Sequence, residues 1–281
     1  MYSAKYVSDN GPVFEFNMEN NVIFDIDPLS EIDVDIGASQ AYDQIGETVE
    51  AQSVLGITRE IRGVLLGDAL ARKKALLQTF APQTRGRLIF NDKYYTECYV
   101  KKTPAIQARQ DNAAFSLMLY CPFSYWYYIV PQTVSLNTFT KTFTFPVLYD
   151  EHTFGERSSG GFTYVNNDGN EPAYFTIEFS STATVNTYGI YNVTTNKHLY
   201  IEDELSAGET VTIYRDAGRI YAIKKASNTE TDLINSLTPD SSFYTLIPNE
   251  NILLLIAGTN ENNLSATLSY NAVYTGVYDG M

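Results

Sequence analysis

Two cysteines and two histidines, Cys98, Cys121, His152 and His198, are the chain's whole stock of thiol and imidazole groups. Cys98 lies in "YYTECYVKK" and Cys121 in "FSLMLYCPF", both strand-like, so they read as small buried apolar side chains. Neither has a second cysteine or histidine at ligand spacing, and a zinc site or disulfide framework has no support. Both histidines sit outside any recognisable catalytic motif, which leaves little material for nucleophilic or general-base catalysis. The acidic triplets "DID" (25–27) and "DVD" (33–35) invite a calcium reading. An EF-hand needs alternating oxygen ligands, a glycine and a distant glutamate. Here Ile32, Val34 and Ile36 alternate with the acids, as on an ordinary solvated strand face. No GxSxG, P-loop or GxGxxG pattern is present, and "RSSGGF" lacks the lysine and following helix of a phosphate cradle. Among 33 acids no pair stands out as a glycosidase couple. The expectation is a protein that is not an enzyme and carries no metal or cofactor.

One aromatic run remains, "CPFSYWYY" (121–128), which holds the chain's single tryptophan. It is too short to enter a membrane, and no apolar stretch approaches a span of about 20 residues. A sugar platform is one use for such rings; a rigid joint is the other. Pro122 stops a strand where one folding unit runs out, which favours the joint, made by Pro122, Phe123, Tyr125, Trp126 and Tyr127.

The elements that would carry these residues follow from periodicity. The apolar content of 44% supports real cores, and 281 residues suit two domains. Residues 1–40 alternate over short runs ("VFEFNM", "NVIFDID", "EIDVDIG"), as do 58–67, so they are expected to be half-buried strands. A single amphipathic helix is expected over about 68–81, with Asp68 as N-cap and Pro82 as stop. Leu70, Leu76, Leu77 and Phe80, with Ala69, are assigned to its buried face. "RGRLIF" and "YYTECYV" flank the turn "NDK" as a hairpin, and "FSLMLYC" closes this half. Residues 131–149 read as a crossing segment and 151–162 as an exposed loop. From there to the end, short strands with regular turns argue a β-sandwich, with only "TDLINSL" hinting at a helical turn. The fold class is therefore mainly β with one helix: a strand-rich domain over 1–130 and a sandwich over 150–281.

Charge is segregated along the chain. Between Tyr6 and Thr58 lie eleven acids and no base; between Arg59 and Arg109 lie eleven bases and four acids. The overall −14 opposes non-specific binding to nucleic acid or to an anionic membrane. Such segregation predicts head-to-tail docking of copies, which closes a ring when the rotation fits. The acidic candidates are Asp25, Asp27, Glu31, Asp33 and Asp35; the basic ones are Arg59, Arg62, Arg72, Lys73 and Lys74. The opening residues lack the basic and apolar regions of a secretory signal, so synthesis in the cytoplasm is expected.

Several segments, in order, resemble the distal tail protein of long-tailed bacteriophages, the siphovirus-type tail component family. They are "REIRGVLLG" leading to the helix and Pro82, "GRLIFNDKYYTECYV", "FSLMLYCPFSYWY", "VNNDGNEPAYFTIEF", "GIYNVTTNKHLYIEDELSAGETVTIY", "SSFYTLIPNENILLLIAG" and "ATLSYNAVYTGV". Ser124, between Phe123 and Tyr125, departs from the family's aromatic segment. The resemblance implies a virion protein whose first domain forms a homo-hexameric ring around the tail lumen. It implies a second, galectin-like sandwich that projects outward and carries receptor-binding or baseplate parts. Its partners would be the tail tube protein and the tail-tip hub, with DNA passing through unbound. Acids facing the lumen would repel phosphate. The competing reading is a lectin-like module that recognises host cell-wall saccharide through tyrosine and tryptophan platforms.

Overall fold

The computed structural model describes residues 2–108, 111–136, 138–140, 156–158, 161–216, 218–227 and 229–277. The expected crossing segment and exposed loop fall largely outside them. The chain divides into two compact units, one of residues 1–130 joined by the segment from Val273 onward, the other Pro131–Ala272. Strands of the first half are β1 (Ala4–Ser8), β2 (Val13–Phe16), β3 (Val22–Asp27), β4 (Val34–Ser39), β5 (Thr48–Val54), β6 (Ile57–Asp68), β7 (Arg85–Phe90), β8 (Tyr94–Ile106), β9 (Asp111–Cys121) and β10 (Trp126–Tyr128). The one α-helix among the described residues, α1 (Leu70–Thr79), follows β6. Those of the second half are β11 (Gln132–Ser135), β12 (Thr138–Thr140), β13 (Glu156–Ser158), β14 (Phe162–Asn167), β15 (Phe175–Ser181), β16 (Val185–Asn192), β17 (Lys197–Leu205), β18 (Thr210–Asp216), β19 (Arg219–Ala226), β20 (Thr229–Asp232), β21 (Asn249–Ala257) and β22 (Leu264–Tyr270). The last strand, β23 (Val273–Tyr274), returns to the first unit. The fold is mainly β with one helix, as the patterning predicts.

In the first unit, seven strands run in the order β2-β1-β7-β8-β9-β6-β3, and β10 joins this sheet by pairing with β8 and with β23. The pattern "ATLSYNAVYTGV" assigns β23 to the sandwich; instead Val273 and Tyr274 pair with Tyr127 and Trp126. One face of the sheet and the helix enclose the core, in which Phe80 stacks on Tyr6 at 4.4 Å between ring centroids. The helix face differs from expectation. Ala69, Leu76 and Phe80 are buried, whereas Leu70 and Leu77 are 75% and 51% exposed. Residues 69, 76 and 80 align at spacings of seven and four, and each leucine that is exposed sits one residue, about 100°, past that stripe. Asp68 is not the N-cap; that position is held by Ala69, without a side-chain hydrogen bond.

The second unit packs a six-stranded sheet (β11-β22-β15-β18-β19-β20) with a four-stranded sheet (β14-β21-β16-β17). Strict alternation buries Phe175, Ile177 and Phe179 of β15 and Leu253 and Leu255 of β21. Phe179 and Tyr188 meet edge to face at 5.5 Å, joining the two sheets through the core. Asn167 is buried in the turn after β14, where its amide donates to the Glu171 and Leu246 carbonyls and its Oδ1 accepts from Gly169 N–H. A single 3₁₀ turn at Ile234–Ser236 answers the hint in "TDLINSL".

Candidate functional site

The most conspicuous surface of the first unit is an arm. Among the described residues, strands β4 and β5 pair only with each other, and every residue of both is exposed. "EIDVDIG" is therefore not a half-buried strand: both faces of the hairpin lie open. Tyr42 and Ile45 at its tip are 97% and 102% exposed, and Val34, Ile36, Val49 and Val54 are exposed along its length. An isolated two-stranded hairpin is marginal in water, and apolar residues on both its faces have no reason to stay there unless something covers them. The sequence does hold a signal for the arm, "VDIGAS" and "TVEAQSV" flanking a tip that contains Gly46, which has positive φ.

The acidic candidates all lie on or near this arm. Asp35 is on β4, Asp33 precedes it, and Glu31 lies in the connection from β3; all three are exposed. Asp25 and Asp27 are on the exposed face of β3. None of the five makes an ion pair among the described residues. The antiparallel register sets Asp25 opposite Arg62 and Asp27 opposite Glu60. Arg62 also pairs with Glu60, and that hydrogen bond holds the Glu60 carboxyl below its ordinary range. Asp25, Glu60 and Arg62 line an open groove of about 660 Å³ with Ile23, Val64, Ala114 and Ser116.

The basic candidates do not form one patch. Arg59 is fully buried, which removes it from the list of surface bases. Its guanidinium donates to the Pro28 carbonyl and, at 2.8 Å, to the Ser124 carbonyl, and lies 4.6 Å from the centre of the Trp126 ring. The cause is register: Arg59 and Ile61 share the inward face of β6, while Glu60 and Arg62 point out. Arg72 folds back onto the Leu66 carbonyl, Lys73 reaches the Gln107 carbonyl at 3.2 Å, and Lys74 is exposed.

The aromatic run is part of the first unit's own sheet and core. Trp126 is fully buried there, its Nε1 donating to Leu29 O at 2.8 Å and its ring 6.0 Å from Phe90. It is a core residue of the first unit, and β10 is hydrogen-bonded into the sheet on both sides. Tyr127 stacks on Tyr95 at 5.4 Å; Pro122 and Tyr125 are half-buried and Phe123 is exposed. Ser124 is buried and its hydroxyl donates to the Leu55 carbonyl, so the departure from the family's aromatic segment has a structural use.

No helix among the described residues is long and apolar enough to cross a membrane. Comparison with known proteins places this geometry. Residues 168–274 match the model of the siphovirus-type tail component, C-terminal domain. No curated protein matches the chain in sequence. The crystal structure of SPP1 Dit, described as a paradigm of the hub adsorption apparatus in phages that infect Gram-positive bacteria, superposes with a TM-score of 0.68 at 12% identity, over 96% of this chain and 98% of that one. A chain of the phage P2 baseplate in its activated conformation with calcium matches with a TM-score of 0.51 at 12% identity, over 99% and 100%. Residues 168–274 thus match the C-terminal domain of the siphovirus-type tail component, and the chain has the fold of SPP1 Dit along its length.

Proposed function

We propose that this chain is a structural virion protein of a long-tailed phage, made in the host cytoplasm and built into the distal end of the tail as a homo-hexameric ring. The ring joins the tail tube protein to the tail-tip hub, lets DNA pass through its lumen without binding it, and catalyses nothing. The first unit forms the ring, and the galectin-like second unit holds receptor-binding or baseplate proteins. The observation that carries this reading is the β4–β5 arm, whose two open apolar faces need a neighbour to cover them. A copy-to-copy contact of this kind is heterologous and closes a ring when the rotation per subunit divides a full turn. Asp25, Asp27, Glu31, Asp33 and Asp35 face either the lumen, where they repel phosphate, or the basic residues of the neighbour.

Native mass spectrometry and negative-stain imaging of the full chain, alone and with tail tube and hub proteins, test the proposal. The expected result is a hexamer with a central hole, lost when Tyr42 and Ile45 are changed to serine. Those side chains are exposed, so the variant keeps the fold. A strict monomer in the presence of both partners, or unimpaired assembly of the arm variant, overturns it. Lysine at the five acidic positions tests the lumen version separately, and unchanged DNA ejection would rule that version out.

A second reading has one observation in its favour. On the outer face of the four-stranded sheet, Phe162, Leu254, Tyr191 and His198 stand directly opposite one another across four strands. Tyr164 flanks that row, and His198 stacks on Tyr200 at 4.6 Å with its Nε2 3.0 Å from Asp240. An aromatic row beside hydrogen-bonding groups is the chemistry of a saccharide platform. Retention of the chain by cell-wall polysaccharide, abolished by Tyr191→Ala, would favour this lectin-like reading over a purely structural one.

A further inference from the structure

Cys98 and Cys121 are both fully buried and both free. They also face each other. β8 and β9 pair with Tyr99 opposite Tyr120 and Val100 opposite Leu119, and one step further along that register sets Cys98 opposite Cys121. Directly opposed residues of an antiparallel pair point to the same side of the sheet, here the core side, since Tyr99 and Tyr120 are exposed on the other. Their Cα atoms lie about 4.5 or about 5.5 Å apart according to the type of pair. Both spacings fall within the roughly 4.4–6.8 Å that a disulfide spans.

A third group completes the cluster. The Arg59 guanidinium is buried beside the thiols, and among the described residues it has no carboxylate partner and its Nε no hydrogen-bond acceptor. A buried cation of this kind favours a neighbouring anion, and the Cys121 sulfur is the group placed to supply one. The Cys98 thiol donates to Gly86 O at 3.7 Å; the neighbouring Cys98, with Arg59 and Thr96, holds the Cys121 thiol down at about 7, while Cys121 and burial push Cys98 up. Cys121 is thus the sulfur that ionises more readily and Cys98 the one that holds its proton.

We propose that Cys98 and Cys121 are a redox modification site, closing to a reversible cross-strand disulfide when a small peroxide reaches the core. The Cys121 thiolate attacks one peroxide oxygen and the O–O bond breaks. The departing hydroxide takes a proton and leaves as water, with Cys121 oxidised by two electrons to a sulfenic acid. The Cys98 sulfur then attacks that sulfur, the S–O bond breaks, and the hydroxyl leaves as water with the Cys98 proton. Two thiols and one hydrogen peroxide give one disulfide and two waters. Full burial admits a small uncharged oxidant during brief fraying at Cys121, where β9 ends, and keeps bulky disulfides out. The bond would tie the two longest strands beside β6 together at the point where the chain turns into β10. None of this depends on the tail reading.

The test uses the full reduced chain treated with hydrogen peroxide, quenched with catalase, denatured, alkylated with iodoacetamide and weighed intact. The expected product has lost two hydrogens and both alkylation sites, yields a Cys98–Cys121 linked peptide, and regains two alkylatable thiols with dithiothreitol. Cys98→Ser should instead stop at oxygenated, monomeric Cys121. Two thiols surviving in the folded chain at peroxide levels that oxidise the denatured chain would overturn the proposal. So would wild-type Cys121 gaining two or three oxygens with Cys98 still free.

Discussion

Arg59 offers the sharpest test of how the first unit is held together. Truncating it to alanine strips donors from the Ser124 carbonyl, which is buried, and the Pro28 carbonyl, which is partly so. An unsatisfied buried acceptor costs about 1–3 kcal/mol, so the two together cost about 2–6 kcal/mol. Loss of the guanidinium over the Trp126 ring adds about 0.5–2 kcal/mol. Against this stands relief from burying a charge, visible in the lowered pKa of Arg59. The net expectation for Arg59→Ala is a loss of about 2–5 kcal/mol. Arg59→Lys keeps the charge but cannot fork to two carbonyls, and should fall between. Trp126 is the chain's only tryptophan and lies wholly inside this unit, so urea titration followed by its fluorescence reads the first unit alone. Arg59→Ala should lower the midpoint with little change in slope. If the midpoint moves by less than the equivalent of about 1 kcal/mol, Arg59 is not the clamp described here.

Two further expectations use the same measurements. Leu76→Ala should destabilise the first unit by about 2–5 kcal/mol, whereas Leu77→Ala, one residue on but half exposed, should change it by under about 0.5 kcal/mol; equal effects would mean the helix packs by another face. The hydroxyls of Tyr6, Tyr188 and Tyr244 are buried without a hydrogen-bond partner among the described residues, and burial raises all three phenols above the ordinary value. In the unfolded chain they ionise near pH ~10 while the folded forms stay protonated, so stability is intact below that pH and falls as pH climbs past it. Alkaline unfolding should therefore begin near there in both units, with the tyrosinate absorbance of the buried tyrosines adding to that of exposed ones such as Tyr42 only as they unfold, and Tyr188→Phe should shift the onset in the second unit upward.

What the sequence made legible were features that depend on local pattern. The hairpin around "NDK" lies at β7–β8, the strand at 58–67 is β6, and the alternation of the second half gives the sandwich. What it hid depends on pairing across long separations. Leu70 and Leu77 are as apolar as Leu76; only the sheet beneath the helix decides which of them is covered. The arm's alternation looks like any half-buried strand, because period two says that one face differs from the other and not that either is covered. Nor does β23 differ in composition from the sandwich strands before it, yet it pairs back with a strand nearly 150 residues earlier.

Segregation along the chain predicts one acidic and one basic flank, and the structure takes one basic candidate, Arg59, off the surface. Antiparallel pairing of acidic β3 with the more basic β6 puts Asp25 across from Arg62 within a single copy, and alternation along β6 takes Arg59 out of solvent altogether. Of the basic candidates, Arg59 is thus held in the core and Arg62 pairs with Glu60. The acids on β3 and at the root of the arm make no ion pair among the described residues and lie beside an apolar tip. Contact between copies should accordingly be led by Tyr42 and Ile45, with charge setting register more than strength. Raising salt should then slow assembly while shifting its equilibrium little; a ring that falls apart in moderate salt would show that the charges, and not the arm, hold it.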